Sequence, residues 1–269
     1  MSFETDHLAI AQQAIDIGSE LIRGCGPVQI IAKGDRDFVS DVDVAIERRV
    51  RAFLKSRAPD VGFLGEEEGW RTGPTDQIYW ALDPIDGTSN FLKQLPLCAI
   101  SLALVVGDRA ILGAIDLPFM NMRYTAVQGQ GAYRAGQRLR ASQTANLPDA
   151  IVAMGDYAVG EHAEDKNRLR LAVTHQLAAS AHRVRMFGSA AIDLAWTAEG
   201  RIDASIILSN KPWDTAAGVL LAREAGAKVI DLAGADHAIH SGSTIAVAPR
   251  LVDSVAGLLG RATSDVPAV

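Results

Sequence analysis

The stretch Trp80-Ala-Leu-Asp-Pro-Ile-Asp-Gly-Thr-Ser-Asn-Phe91 decides how this chain is read. The apolar run 78–82 predicts a buried strand that delivers Asp83 to its end. Pro84 removes a backbone donor and fixes a turn. Asp86 then presents a second carboxylate. Two carboxylates this close repel each other unless a cation lies between them. Hard divalent cations take oxygen ligands, and Mg2+ keeps positions open for water and phosphate oxygens. Gly87 lets the backbone approach a ligand closely. Thr88 and Ser89 suit the start of a short helix, whose free N–H groups face an anion. The same string can also be a plain β-turn with an Asp cap, so its neighbours must decide.

Three further pieces bear on it. GFLGEEEG, 62–69, sets Glu66 and Glu67 directly after an apolar strand at 61–64. Strand ends are where layered sheets build sites, although consecutive Glu residues also suit a solvated loop. DFVSDVDVAIE, 37–47, puts Asp41 and Asp43 ahead of a helix. Asp41 is the expected cap, which leaves Asp43 to face the acidic cluster. NKPWDTAAG, 210–218, places Asp214 at the start of an Ala-rich helix, as cap or as ligand.

Further out, helical periodicity covers 6–23 and about 43–55. The runs 98–106 and 110–117 flank Gly107-Asp108 and predict a hairpin, continued as a meander by 123–127 and 131–134. The segment 140–148 reads as a linker, dividing an N-terminal α+β half, 1–145, from a C-terminal α/β half, 146–269. In that second half, strands at 150–154, 183–187 and 204–208 each precede a helix, at about 165–179, 190–199 and 214–225. Strands at 227–230 and 243–248 and a helix at 251–259 follow, with a frayed end from about 262. Such alternation argues for layered α/β architecture.

Composition narrows the classes. Of 269 residues, 48% are hydrophobic and 22% charged, near the globular average. That excludes a disordered tail, a collagen-like fibre and a disulfide scaffold. The formal charge of −6, from 26 Lys+Arg against 32 Asp+Glu, argues against a general nucleic-acid binder. Cys25 and Cys98 form no framework and fit a reducing compartment. The first residues lack the basic and apolar segments of a secretory signal. No apolar run reaches the roughly 20 residues of a membrane helix. The expectation is a cytoplasmic protein with no membrane or nucleic-acid partner.

Taken in order, LGEE (64–67), WALDPIDGTSNF (80–91) and KPWDTAAG (211–218) resemble the inositol monophosphatase family of Mg2+-dependent, lithium-sensitive phosphatases. Lys33, Asp43 and the Glu66-Glu67 pair fit the same framework, and the likeness runs from about 8 to 260. The resemblance implies an αβαβα sandwich of the inositol monophosphatase / fructose-1,6-bisphosphatase type, assembled as a homodimer. It implies two or three Mg2+ per subunit. Glu66, Asp83 and the carbonyl of Ile85 would hold one ion, and Asp83, Asp86 and Asp214 a second, with Glu66 helping a third. Asp43 and Thr88, together with Glu66, would serve the attacking water. The N–H groups of Gly87 and Thr88 would bind phosphate, and Ser89, Ser189, Ala190 and Lys33 would lie on the substrate side.

The implied reaction is hydrolysis of a small phosphate monoester by metal-activated water, in line and without a phospho-enzyme. The expected substrate is myo-inositol 1-phosphate or a related polyol or sugar phosphate. Inositol-preferring members of the family carry a glutamate at the position of Ile207, seven residues before Asp214. That departure keeps histidinol phosphate as an alternative, since Asp156 and Asp193 could meet its amine. A reading of another class is a regulatory or binding protein on this fold. It predicts an eroded ligand set, whereas Glu66, Asp83, Asp86, Thr88 and Asp214 are all present.

Overall fold

The N-terminal periodicity folds as helix α1 (Phe3–Gly24), followed by a hairpin of β1 (Ile30–Gly34) and β2 (Asp37–Ser40) and by helix α2 (Asp41–Arg57). The computed structural model describes residues 3–26, 28–71 and 77–266. Next come β3 (Gly62–Gly65), β4 (Gly69–Arg71) and β5 (Ile78–Asp86). After the short helix α3 (Thr88–Leu92) the meander runs through β6 (Ala99–Val106), β7 (Arg109–Leu117), β8 (Met122–Val127), β9 (Gly131–Arg134) and β10 (Gln137–Arg138). These eight strands form one sheet in the order β10-β9-β8-β7-β6-β5-β3-β4. Only β3 and β5 pair in parallel within it.

The second half alternates strand and helix: β11 (Ile151–Met154), α4 (Ala163–Ser180), β12 (Arg183–Arg185), α5 (Ala190–Glu199), β13 (Ala204–Ile207) and α6 (Pro212–Glu224). Strands β14 (Lys228–Ile230) and β15 (Thr244–Val247) and helix α7 (Val252–Ser264) complete it. The five-stranded sheet has the order β12-β11-β13-β15-β14.

Alternation along the strands sets the layers, because successive side chains leave opposite faces. Trp80, Leu82, Leu102 and Leu104 pack on α1 and α2. Tyr79, Ala81, Ala103 and Val105 face the other way, onto α5 and α6. The far sides of α5 and α6 meet Val229 and Ala246 of the second sheet. Its outer face, with Val152, Ile206 and Ile245, packs on α4 and α7. The result is the expected five-layer αβαβα order. Burying each large aliphatic side chain contributes about 2 kcal/mol, and every layer buries such side chains against its neighbours.

Helix α6 lies between two sheets, which explains its Ala-rich sequence. Both its faces must be apolar and small. At Gly113 of β7 a Cβ would sit 2.9 Å from the carbonyl oxygen of Ala217, so the helix backbone rides directly on the strand.

Some expectations fail for identifiable reasons. The C-terminus is not frayed at 262: Ala262 is fully buried beside Val255, Leu258 and Leu259, and α7 runs to Ser264. Every residue of β1 is exposed, so this strand carries no alternation to read. Asp41 does not cap α2. Ser40 does, with Asp43 as its capping-box partner, while Asp41 Oδ1 accepts from the Gln29 N–H at 3.0 Å. No helix among the described residues is long and apolar enough to cross a membrane.

Candidate active site

The strand does not stop at Leu82. It continues to Asp86 through an irregularity: Asp83 pairs with Ser101, yet Asp86 pairs with Ala99. Three steps on β5 match two on β6, which is a bulge. In a regular strand Asp83 and Asp86 would leave opposite faces. The bulge restores parity, so both carboxylates leave the face that α5 and α6 cover. Pro84, which cannot donate to the ladder, lies within it.

Four acidic residues gather here. Asp83 is 2% exposed and its Oδ1 has no hydrogen-bond partner. Burial, and then the negative charges of Glu66, Asp86 and Asp214, hold its carboxyl well above the usual carboxylate range. Asp86 is held at the start of α5, where Ser189 Oγ donates to its Oδ2 at 2.5 Å and the Ala191 N–H at 2.6 Å. Burial still lifts Asp86 to about 6. Asp214 is the third residue of α6, whose cap is Lys211. It is therefore not a cap, and burial with Asp86 and Glu66 nearby raises it as well. Glu66 follows β3, anchored by its N–H to the Leu82 carbonyl at 3.2 Å.

Lys33 reaches from the exposed hairpin to Glu66 at 3.2 Å and Glu67 at 2.7 Å. Glu68 turns away to Arg48 and Arg51. Asp43 is fully buried, with Oδ2 taken by Ser40 and Oδ1 lying 3.4 Å from Thr88 Oγ1. The same hydroxyl donates to the Ile85 carbonyl at 3.0 Å. Burial raises Asp43 to about 6, against the pull of the Ser40 hydrogen bonds.

The chemistry of this donor set fits a hard cation. An orphaned, buried carboxylate oxygen sits among like charges. Among the described residues no three His, Cys, Asp or Glu side chains are drawn into a ready cage, as expected for carboxylates that repel one another.

Gly87 opens α3 with φ 91°. A Cβ there would lie 2.8 Å from the Leu97 carbonyl oxygen and 3.0 Å from that of Gly188. Gly87→Ala is expected to cost about 2–3 kcal/mol, from the left-handed backbone and the two close carbonyls. Thermal melting checks it, and a change below about 0.5 kcal/mol contradicts the strain argument.

Ser89 is exposed on α3, while Ser189 and Ala190 begin α5 and line a cavity of about 690 Å³ that also reaches Asp86, Asp214 and Ile207. Two residues went unforeseen. Glu47 is fully buried and accepts the N–H groups of Glu67 and Glu68, both at 2.8 Å. It thereby shapes the turn that carries Glu66. Its signal was the helical spacing Asp43–Glu47–Val50–Leu54, which puts an acid on the buried stripe. Asn90 ties α3 to the loop before α5 through the carbonyls of Leu97 (2.8 Å) and Phe187 (2.7 Å).

Comparison with known proteins shows what the whole chain is similar to. A family model described as the inositol monophosphatase family matches residues 4–263. An inositol-1-monophosphatase of Mesorhizobium japonicum is 38% identical over 242 residues, covering 88% of this chain and 89% of its own. A protein named Nus factor SuhB, of Salmonella typhimurium, is 35% identical over 239 residues, covering 88% of each. The crystal structure of extragenic suppressor protein SuhB from Bartonella henselae superposes with a TM-score of 0.87 at 31% identity, over 94% of this chain and 98% of that one.

Proposed function

The chain belongs to the inositol monophosphatase family, and from that premise we propose that it hydrolyses a small phosphate monoester with Mg2+ at the Asp83 cluster. The observation that carries this reading is the buried, unpartnered Asp83 Oδ1 amid the charges of Glu66, Asp86 and Asp214. In this reading Glu66, Asp83 and the Ile85 carbonyl hold one ion, and Asp83, Asp86 and Asp214 a second, with Glu66 shared by a third. Bound there, Mg2+ would neutralise phosphoryl oxygens and lower the pKa of water.

The chain's own groups do the positioning that phosphoryl transfer asks for. Asp43 and Thr88 orient the attacking water, and Asp43, raised to about 6, is a competent proton acceptor at neutral pH. The N–H groups of Gly87 and Thr88 receive phosphate oxygens. Ser189 keeps Asp86 in place and, with Ala190, borders the leaving alcohol. Lys33 adds a cation beside Glu66, and Ser89 lies at the outer edge. Exposed apolar side chains at Ile30, Ile31, Leu95 and Phe119 support pairing of two copies.

Myo-inositol 1-phosphate or a related polyol or sugar phosphate is the first substrate to try. Histidinol phosphate is the second, because Ile207 offers a ring hydroxyl no hydrogen bond. A regulatory role is the competing reading, supported by the relative named Nus factor SuhB. Phosphate release should be measured on p-nitrophenyl, inositol 1-, histidinol and glycerol phosphates and on fructose 1,6-bisphosphate, with and without Mg2+. Mg2+-dependent release from at least one monoester is expected. No metal-dependent turnover of any of them would leave the regulatory reading standing alone.

A further inference from the structure

The wall of the cavity beside Asp86 holds two carboxylates outside the metal-ligand set. Asp193, on α5, is 1% exposed and its Oδ1 has no hydrogen-bond partner. The donors around it are engaged elsewhere. Ser189 Oγ and the Ala191 N–H both bond Asp86. Arg170 gives its Nε and Nη1 to the carbonyls of Asp156 and Lys166. Lys211 lies over the Trp213 ring, 5.4 Å from its centre. Asp156 is exposed at the rim of the same space. Its Oδ2 lies 3.4 Å from where a Cβ on Gly188 would sit. No side-chain donor meets it among the described residues.

A buried carboxylate without a partner is costly, and folded proteins pair it or protonate it. Burial and the charges of Asp86 and Asp156 push Asp193 well above the usual range. A bound water would supply a donor but no charge. Two carboxylates on one wall call for a positive charge, and among the described residues none of the cavity's own cations, Lys166, Arg170 and Lys211, forms an ion pair with either of them. Ile207, on the same cavity, offers no competing polar contact.

We propose that Asp193 and Asp156 form a subsite for a protonated amine on the leaving alcohol, so that the cavity selects amino-alcohol or amino-sugar phosphate monoesters over their hydroxyl counterparts. This rests on the phosphatase reading, with the phosphate at the Asp86 end and the amine across the cavity. The ammonium would be held by charge-assisted hydrogen bonds, about twice as strong as neutral ones.

The test uses matched pairs: glucosamine 6-phosphate against glucose 6-phosphate, and 2-aminoethyl against 2-hydroxyethyl phosphate. p-Nitrophenyl phosphate serves as a monoester with neither group. Turnover is measured with Mg2+, separating kcat from KM, and binding of the same esters is measured by calorimetry. The amine of each pair should be favoured about tenfold or more in kcat/KM, mainly through KM. Asp193→Asn and Asp156→Asn should each bring that ratio close to one. Asp193→Asn should melt no lower than the wild type, since it removes a charge that the fold buries unpaired, and Asp156→Asn, at an exposed position, should melt with the wild type. Equal treatment of the pairs by the wild type, or a preference that survives both substitutions, overturns the subsite. If p-nitrophenyl phosphate is still hydrolysed, that result leaves the phosphatase reading intact. Tighter binding of the amine esters with no turnover of any monoester supports the subsite and overturns the phosphatase reading. Neither binding preference nor turnover overturns both.

Discussion

Asp83→Asn is expected to abolish Mg2+-dependent hydrolysis while raising the melting temperature of the metal-free protein. The two effects have one origin. Asp83 is buried, unpartnered at Oδ1, and surrounded by the charges of Glu66, Asp86 and Asp214. Its carboxylate therefore opposes folding unless a cation is present. An amide of the same shape relieves that repulsion, so the apo fold gains. In the proposed ligand sets Asp83 is common to the first and second ions. Its loss should lower kcat/KM by about a thousandfold or more, roughly 4 kcal/mol of barrier. The rise in melting temperature that Mg2+ gives the wild type should vanish too. Retention of more than about a tenth of the wild-type rate, roughly 1.4 kcal/mol, would refute the ligand assignment. A destabilised metal-free variant would refute the electrostatic part separately.

Much of this site was legible because its chemistry is local. Asp83, Asp86, Gly87 and Thr88 lie within one short segment, and their side-chain types announce cation and anion contacts at any register. Asp214 stands out in an otherwise apolar helix start. The Ala-rich composition of α6 was legible too, but its burial on both faces depends on the second sheet. What stayed hidden depends on partners distant in sequence. The bulge that puts Asp83 and Asp86 on one face exists only in the pairing of β5 with β6. Ser40 outcompetes Asp41 as cap because Asp43 answers it across the capping box, whereas Asp41 meets Gln29. Glu47 was hidden by its place mid-helix, where a single acid passes for a solvated residue. Asp193 was legible as a possible partner for a substrate amine, but its burial and its unpartnered oxygen depend on α5 packing between two sheets. In each of these cases tertiary contact, rather than local preference, decides what a polar side chain does.

The same electrostatics predict how stability depends on pH and Mg2+. Acids whose native pKa is raised bind more protons when folded than when unfolded. Their contribution is therefore complete below the unfolded value and lost as pH rises through the native one. Asp43 and Asp86, each raised to about 6, act from about 4 upward, and Glu67, raised to about 7, extends the effect. Asp83, Asp214 and Asp193 are raised by burial and by neighbouring negative charge, and act in the same direction. His237 works in the opposite sense. It is buried beside Asn210 and Thr244, and its pKa falls to about 4. Its contribution grows as pH rises from about 4 to 6.5 and is constant above that. The window from about pH 6.5 to 8 thus isolates the carboxylates. In chelator the melting temperature should fall across it, by about 5–10 °C if several kcal/mol are involved. Mg2+ binds only the ionised ligands, so its affinity rises as those protons leave. The shift it produces, set by the ratio of its concentration to its Kd, should be larger at pH 8 than at 6.5 and should cancel the fall. A metal-free melting temperature that rises through this window would mean that the carboxylates are paired by something other than a cation. An Mg2+ shift that is the same at both ends would mean that the ion binds away from them. Acidity that opposes the fold is thus the same property that selects the ion, because only a multivalent cation removes the repulsion without removing the charges that hold it.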